Sequence, residues 1–149
     1  MYQRILVPLD GSSRAEAIIP HVENLAHCYN ATVIFLQVLE PDPTIVGPYD
    51  AQVLAVPPEE IERRLNAIDA YLAGWEGEFR EKSIKARRIT ARGSVVEAII
   101  NAADRENADL IAMASHGRSG LSRVFYGSVA AGVLQRVEHP LLLVRASGD

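Results

Sequence analysis

The sequence predicts an open, doubly wound α/β domain built on five parallel strands. Short apolar, β-branched runs alternate along the chain with longer segments of helical period, and strands separated by helices pair in parallel through right-handed crossovers. The chain of 149 residues is the size of one ordinary domain and can bury roughly 70% of its unfolded surface in a single core. With 48% apolar and 23% charged positions, it has the composition of a globular chain and not of a disordered or fibrous one.

Each element has its own signal. Arg4 to Leu9 reads as a buried strand, and Asp10-Gly11-Ser12-Ser13 supplies a turn and a helix cap. From Ser13 to Tyr29, the positions Ile18, Val22, Leu25, Ala26 and Tyr29 fall on one helical face. Pro20 lies inside that pattern and predicts a kink, because it removes one backbone bond. Thr32 to Val38 is a second strand. Residues 40–58 hold five of the eight prolines, which marks either a functional flap or a tolerated surface insertion. Glu59 to Lys82 follows as a long helix, with Ile61, Leu65, Ile68, Leu72, Trp75 and Phe79 on the stripe that covers a sheet face. Gly74 and Gly77 weaken its C-terminal half by about 1 kcal/mol each relative to alanine. Ile84 to Ala91 mixes apolar and basic residues and reads as an edge strand. Ser94 and Glu97 have the spacing of a capping box for a helix running to Asn107. Asp109 to Ser115 is the fourth strand, then come a glycine-bearing loop and a helix to Val137. Leu141 to Arg145, after Pro140, is the fifth strand.

The charge balance narrows the function classes. Fifteen basic and nineteen acidic residues give a net charge of -4, which argues against a broad electrostatic grip on nucleic acid. Cys28 is the sole cysteine, so neither an internal disulfide nor a cysteine-based metal cluster can form. The N-terminal apolar stretch is broken by Pro8 and Asp10, and no run approaches the ~20 apolar residues of a membrane span. The expected setting is cytoplasmic.

In open α/β sheets ligands bind beyond the carboxyl ends of the strands, where the strand order reverses. Two loops carry suitable residues there. One is Pro8-Leu9-Asp10-Gly11-Ser12. The other runs from Ala114-Ser115-His116-Gly117-Arg118 to Gly127-Ser128. Gly117 and Gly120 let backbone amides approach a ligand closely, and Gly127-Ser128 opens the last helix, whose free amides and dipole favour an anion. Arg118 or Arg123 could add charge. Taken alone, these glycines read equally well as turn and cap residues. A Walker A loop is absent, since Glu81 precedes the one Lys-Ser pair, Lys82-Ser83, and no Gly-x-Gly-x-x-Gly follows the first strand.

At these residues a family resemblance becomes specific. Ala114-Ser115-His116-Gly117, nine residues, then Gly127-Ser128 resembles the ATP-binding signature of the universal stress protein family, Gly-x2-Gly-x9-Gly-Ser/Thr. The likeness covers the whole chain as one domain, 1–149, through Ile5 to Ser12, Gly93-Ser94 to Ile99, Ala108 to Ile111 and His139 to Val144. The first signature glycine is Ala114 here. The resemblance implies a Rossmann-like sheet of order 3-2-1-4-5, with the loops after strands one and four side by side. It implies that Asp10 meets the ribose, that Val38 lines the adenine pocket with Pro8 and Met113, and that Gly117, Arg118, Gly127 and Ser128 hold the phosphates. Leu9, Ala114 and Val129 complete that implied binding set. Mg2+ or Mn2+ would bind through the phosphates. The family's homodimer, formed through the last strand, is implied for Leu141 to Val144. The residues add a reason, because an apolar edge left unpaired invites association.

Other chemistry fits less well. Met113-Ala-Ser115-His-Gly117 superficially matches a nucleophile elbow, but Met113 stands at the first glycine, and Glu138 is directly beside His139, where the two would not align as a relay. His116 in its turn reads as structural or as a ligand edge. His21, His27 and Cys28 lack the i, i+4 spacing of metal ligands. A receiver domain with Asp10 as phosphoacceptor needs a late lysine, and none follows Lys85. The expected function is ATP binding by a homodimeric stress-response sensor or adaptor that is not a dedicated enzyme. The alternatives are a relative that works through dimerisation without nucleotide, or a small adenine-nucleotide hydrolase-like enzyme.

Overall fold

The computed structural model describes residues 1–41, 56–115 and 127–146. Five strands form one sheet in the order β3-β2-β1-β4-β5, with every neighbouring pair parallel. They are β1 (Arg4–Pro8), β2 (Thr32–Leu39), β3 (Ala86–Arg92), β4 (Leu110–Ala114) and β5 (Leu141–Val144). The helices are α1 (Ile19–Tyr29), α2 (Pro58–Glu81), α3 (Val95–Arg105) and α4 (Gly127–Arg136). The expected fold class and strand order are both present.

Alternation along the strands divides the core into two layers. Ile5, Val7, Val33, Phe35, Leu110 and Ala112 face α1 and α2, where Val22, Ile68, Leu72 and Phe79 meet them. Leu6, Ile34, Leu36, Ile111 and Met113 face α3 and α4, against Ile99, Ala102, Ala130 and Val133. Phe35 and Phe79 pack edge to face at 5.0 Å, which joins the centre of β2 to the end of α2. Asp109 fixes the sheet at the amino ends of its inner strands. Its carboxylate accepts the backbone N–H groups of Gln3 at 2.8 Å and Arg4 at 3.1 Å, and so sets the start of β1 beside β4.

Three local expectations need correction. Pro20 does not kink a continuous helix. A 3₁₀ turn at Ala15–Ile18 precedes α1, and Pro20 sits in the first turn of α1, where its missing N–H costs nothing. Ser94 is the N-cap of α3, but its exposed side chain makes no capping bond, so the reciprocal Ser94–Glu97 box is not formed. Glu97 lies 3.8 Å from Arg136 on α4 instead. Ile84 precedes β3: its N–H bonds to the Phe79 carbonyl at 2.9 Å, so this buried residue closes α2 before the strand begins. α2 runs unbroken through Gly74 and Gly77.

β3 and β5 are the sheet edges, as expected. Of the 40–58 segment, residues 42–55 lie outside the described residues, and with them its reading as a flap. Among the described residues no helix is long and apolar enough to cross a membrane.

Candidate functional site

The strand order reverses between β1 and β4, and the carboxyl ends of the strands open there into a cavity of about 1090 Å³. That is the position and scale of a small-molecule site in an open α/β sheet.

β1 delivers Pro8, Leu9 and Asp10 to its wall. Leu9 is still hydrogen-bonded to the Leu36 carbonyl at 2.8 Å, so the chain leaves the sheet only at Asp10. One carboxylate oxygen of Asp10 accepts the N–H of Ser12 at 2.9 Å and its hydroxyl at 2.5 Å. The Ser12 hydroxyl oxygen in turn accepts the N–H of Ala15 at 3.1 Å. Gly11 completes the turn at φ +84, a left-handed conformation that glycine adopts without strain. The Asp10 carboxylate is thereby held at the rim by its own loop.

β2 contributes Gln37 and Val38. Beyond it, Gly93 at φ +114 donates its N–H to the Leu39 carbonyl at 3.0 Å and brings the mouth of α3 to the cavity. β4 contributes Met113, Ala114 and Ser115, all buried. Ser115 donates its N–H to the Val144 carbonyl at 2.7 Å, while its buried hydroxyl has no hydrogen-bond partner among the described residues. Ser128 and Val129, in the first turn of α4, close the remaining side.

The structure therefore brings Pro8, Leu9, Asp10, Val38, Met113, Ala114, Ser128 and Val129 to one cavity, with Gly127 adjacent as the first residue of α4. Gly117 and Arg118 lie outside the described residues, as does His116.

Two sets of wall residues were not anticipated as site residues. Gly93 to Val96 belong to the mouth of α3, whose sequence signals a helix cap and not a cavity wall. Arg63, Arg64, Ala67, Ile68 and Tyr71 come from α2, which leans over the tips of the strands. The apolar stripe of α2 shows which face meets the sheet but not how far the helix overhangs it. Glu60 orients both arginines, accepting Arg63 Nε at 2.8 Å and Arg64 Nε at 3.1 Å. Those two hydrogen bonds hold its carboxyl down to about 2. The Tyr71 hydroxyl donates to Glu16, and burial together with that carboxylate pushes its pKa above the usual tyrosine range. Tyr71 thus remains a neutral donor across the physiological range.

Val38 and Met113 line the cavity with apolar side chains, backed by the fully buried Leu36 and Ile99, while Asp10, Ser128 and the N-terminus of α4 give it polar groups. Among its described lining residues there is no histidine, cysteine or lysine.

The sequence matches the universal stress protein family over residues 1–145. It is 28% identical over 155 residues to universal stress protein MJ0577 of Methanocaldococcus jannaschii, covering 97% of this chain and 96% of that protein. The solved structure of MJ0577 superposes with a TM-score of 0.84 at 27% identity, covering 100% of this chain and 99% of that one. A universal stress protein of Thermus aquaticus is 30% identical over 146 residues, covering 97% of this chain and all of that protein. A universal stress protein solved in complex with cAMP shares the fold, with a TM-score of 0.64, 24% identity and 98% of each chain covered.

Proposed function

The chain belongs to the universal stress protein family, and from that premise we propose that it binds ATP in the strand-tip cavity and acts as a nucleotide-dependent sensor or adaptor. The observation that carries the reading is convergence: β1, β2, β4 and α4, far apart in sequence, bring Asp10, Val38, Met113 and Ser128 to one cavity at the switch point. A protein of the same fold is known as a complex with cAMP, which makes adenine nucleotides the first ligands to test.

In this reading adenine lies against Val38 and Met113, and Asp10 accepts ribose hydroxyls. Ser128 and the first amides of α4 take the phosphates, where the helix dipole favours negative charge. Gly117 and Arg118 belong to the same phosphate loop by their place in the sequence. Among the described residues no group of three His, Cys, Asp or Glu could hold a metal ion. A hard cation such as Mg2+ or Mn2+ would therefore be held largely by phosphate oxygens, with the Ser128 hydroxyl as an available protein oxygen. Bound there, the ion neutralises phosphate charge.

In this reading the nucleotide is bound and not turned over, because the Asp10 carboxylate is engaged by Ser12 and the ribose and is not free to activate water. It works as a homodimer joined along β5, an apolar edge strand of half-buried residues.

Isothermal titration with Mg-ATP tests the reading: saturable heat at micromolar nucleotide is expected, and its absence overturns it. Gly127→Val should abolish that heat while leaving the circular dichroism spectrum unchanged, because a branched side chain enters the first turn of α4. Silence from both proteins would leave the nucleotide-free reading, to which Ala114, standing at the first signature glycine, already lends some weight.

A further inference from the structure

At the amino ends of β1, β2 and β3, away from the nucleotide cavity, lies another cavity of about 620 Å³. Four cations line it, Arg4, Arg80, Lys85 and Arg87, together with the hydroxyl-bearing Thr32 and Ser83. None of its described lining residues is acidic, although acidic residues outnumber basic ones in the chain.

The arginines are fixed from behind. Arg4 Nη1 donates to the Glu106 carbonyl at 3.1 Å, and Arg87 pairs with the Glu106 carboxylate. Arg80 donates through Nε and Nη2 to the Ala86 carbonyl at 3.3 and 3.0 Å, and lies 3.1 Å from Glu76. Glu76 is shared with Arg88, on the face of β3 that meets α2. Even with Glu106, Glu76 and Asp109, whose carboxylate accepts the Arg4 N–H at 3.1 Å, all counted in full, four cations face three anions. Each guanidinium carries five N–H donors, and the contacts above use only part of them. Lys85 is exposed and has no carboxylate partner among the described residues.

We propose that this cavity is a second ligand site, for a condensed phosphate chain. Charge density selects that chemistry. The cations span two inter-strand spacings, about 10 Å. An extended acidic peptide presents same-face carboxylates about 7 Å apart, so about two would fit. A single phosphate group carries up to about two charges and three acceptor oxygens, and linked phosphates concentrate more charge in the same length. Guanidinium forks match phosphate oxygens two at a time, and Thr32 and Ser83 supply further donors. The site is independent of the nucleotide reading. Along β2, Thr32 at this end and Leu39 at the other are about 23 Å apart.

The test is a titration of 15N-labelled protein with sodium tripolyphosphate, without added metal, followed by amide chemical shifts. Saturable shifts are expected at Thr32, Ser83, Lys85 and Arg87, with orthophosphate binding more weakly. Lys85→Glu breaks no carboxylate pair, and it should weaken the response at these amides by roughly tenfold or more. Arg87→Glu, which sets a carboxylate against Glu106, should do the same. Shifts confined to Ser128, Val129 and the strand tips would overturn the proposal, as would an affinity unaltered by Lys85→Glu. Tighter binding of an oligoglutamate peptide at the same amides would also overturn it and make the cavity a peptide surface. If ATP fails to bind the other end while tripolyphosphate shifts Lys85 and Arg87, the nucleotide reading alone falls.

Discussion

Ser115 carries a buried hydroxyl that nothing in its described surroundings satisfies, at 2% exposure and on the cavity wall. An unpaired buried polar atom costs about 1–3 kcal/mol, so the fold by itself would do as well with a methyl group there. Ser115→Ala is therefore expected to leave the urea midpoint unchanged or raise stability by up to about 1 kcal/mol. If the hydroxyl is reserved for the nucleotide, the same change weakens ATP roughly five- to tenfold in a calorimetric titration. Lost stability with affinity retained would assign the hydroxyl to the fold instead. Tyr71, on the same wall, is the opposite case, because its hydroxyl is already engaged by Glu16. Its raised pKa means that this contact stabilises the protein fully below the ordinary tyrosine value and is lost as pH climbs above it. Tyr71→Phe should erase that alkaline dependence in thermal melts.

Among the elements, α4 matters most to the site, and its position depends on a close approach to α3. A Cβ placed on Gly132 would stand 2.8 Å from Val96 Cγ2, so alanine there must displace Val96, a side chain stiff in a helix, or shift the helices themselves. Overpacking of this kind costs about 1–3 kcal/mol, against about 1 kcal/mol gained in helix propensity. Gly132→Ala is expected to lower the melting temperature and weaken nucleotide binding together, because the shift carries Ser128 and Val129 with it. Adding Val96→Ala should restore much of both. At the start of α2, Glu60 is held near 2 against an ordinary 4.5 by Arg63 and Arg64. Its contribution is complete above 4.5 and disappears as the pH falls toward 2. The stability difference between the native chain and Glu60→Gln should accordingly be present at neutral pH and vanish in strong acid, and it should be small because the group is exposed to solvent. Elements of this sort were legible from period alone: of the stripe Ile61, Leu65, Ile68, Leu72, Trp75 and Phe79, Ile68, Leu72 and Phe79 are buried and the others half-buried. Their ends were less so. Pro20 looks the same in sequence inside a helix or at its start, and Ser94 has capping chemistry that its exposed side chain does not use.

For the molecule as a whole, the class of fold followed from alternation, but the strand order did not. The residues Ile5, Leu6 and Val7 say only that β1 is buried on both faces, and the order came with the family likeness. The cavity was half legible for the same reason. The loops after β1 and β4 carry their own turn and glycine signals, whereas the overhang of α2 and the approach of α3 are products of packing that no local pattern records. The edge at β5 is where the whole-molecule reading can be tested. The N–H of Ile111 bonds to the Pro140 carbonyl and that of Ser115 to the Val144 carbonyl. The alternation of a parallel ladder then turns Leu142 and Val144 toward β4 and leaves the backbone of Leu141 and Leu143 facing outward. Proline removes an N–H at little cost on an edge strand. If the proposed dimer forms along β5, Leu143→Pro should thus leave the five-stranded sheet and the ATP titration in place while giving a monomer in light scattering. Leu141→Pro, at the first residue of the strand, offers the same outcome. A dimer that persists in both folded variants would move the interface away from β5.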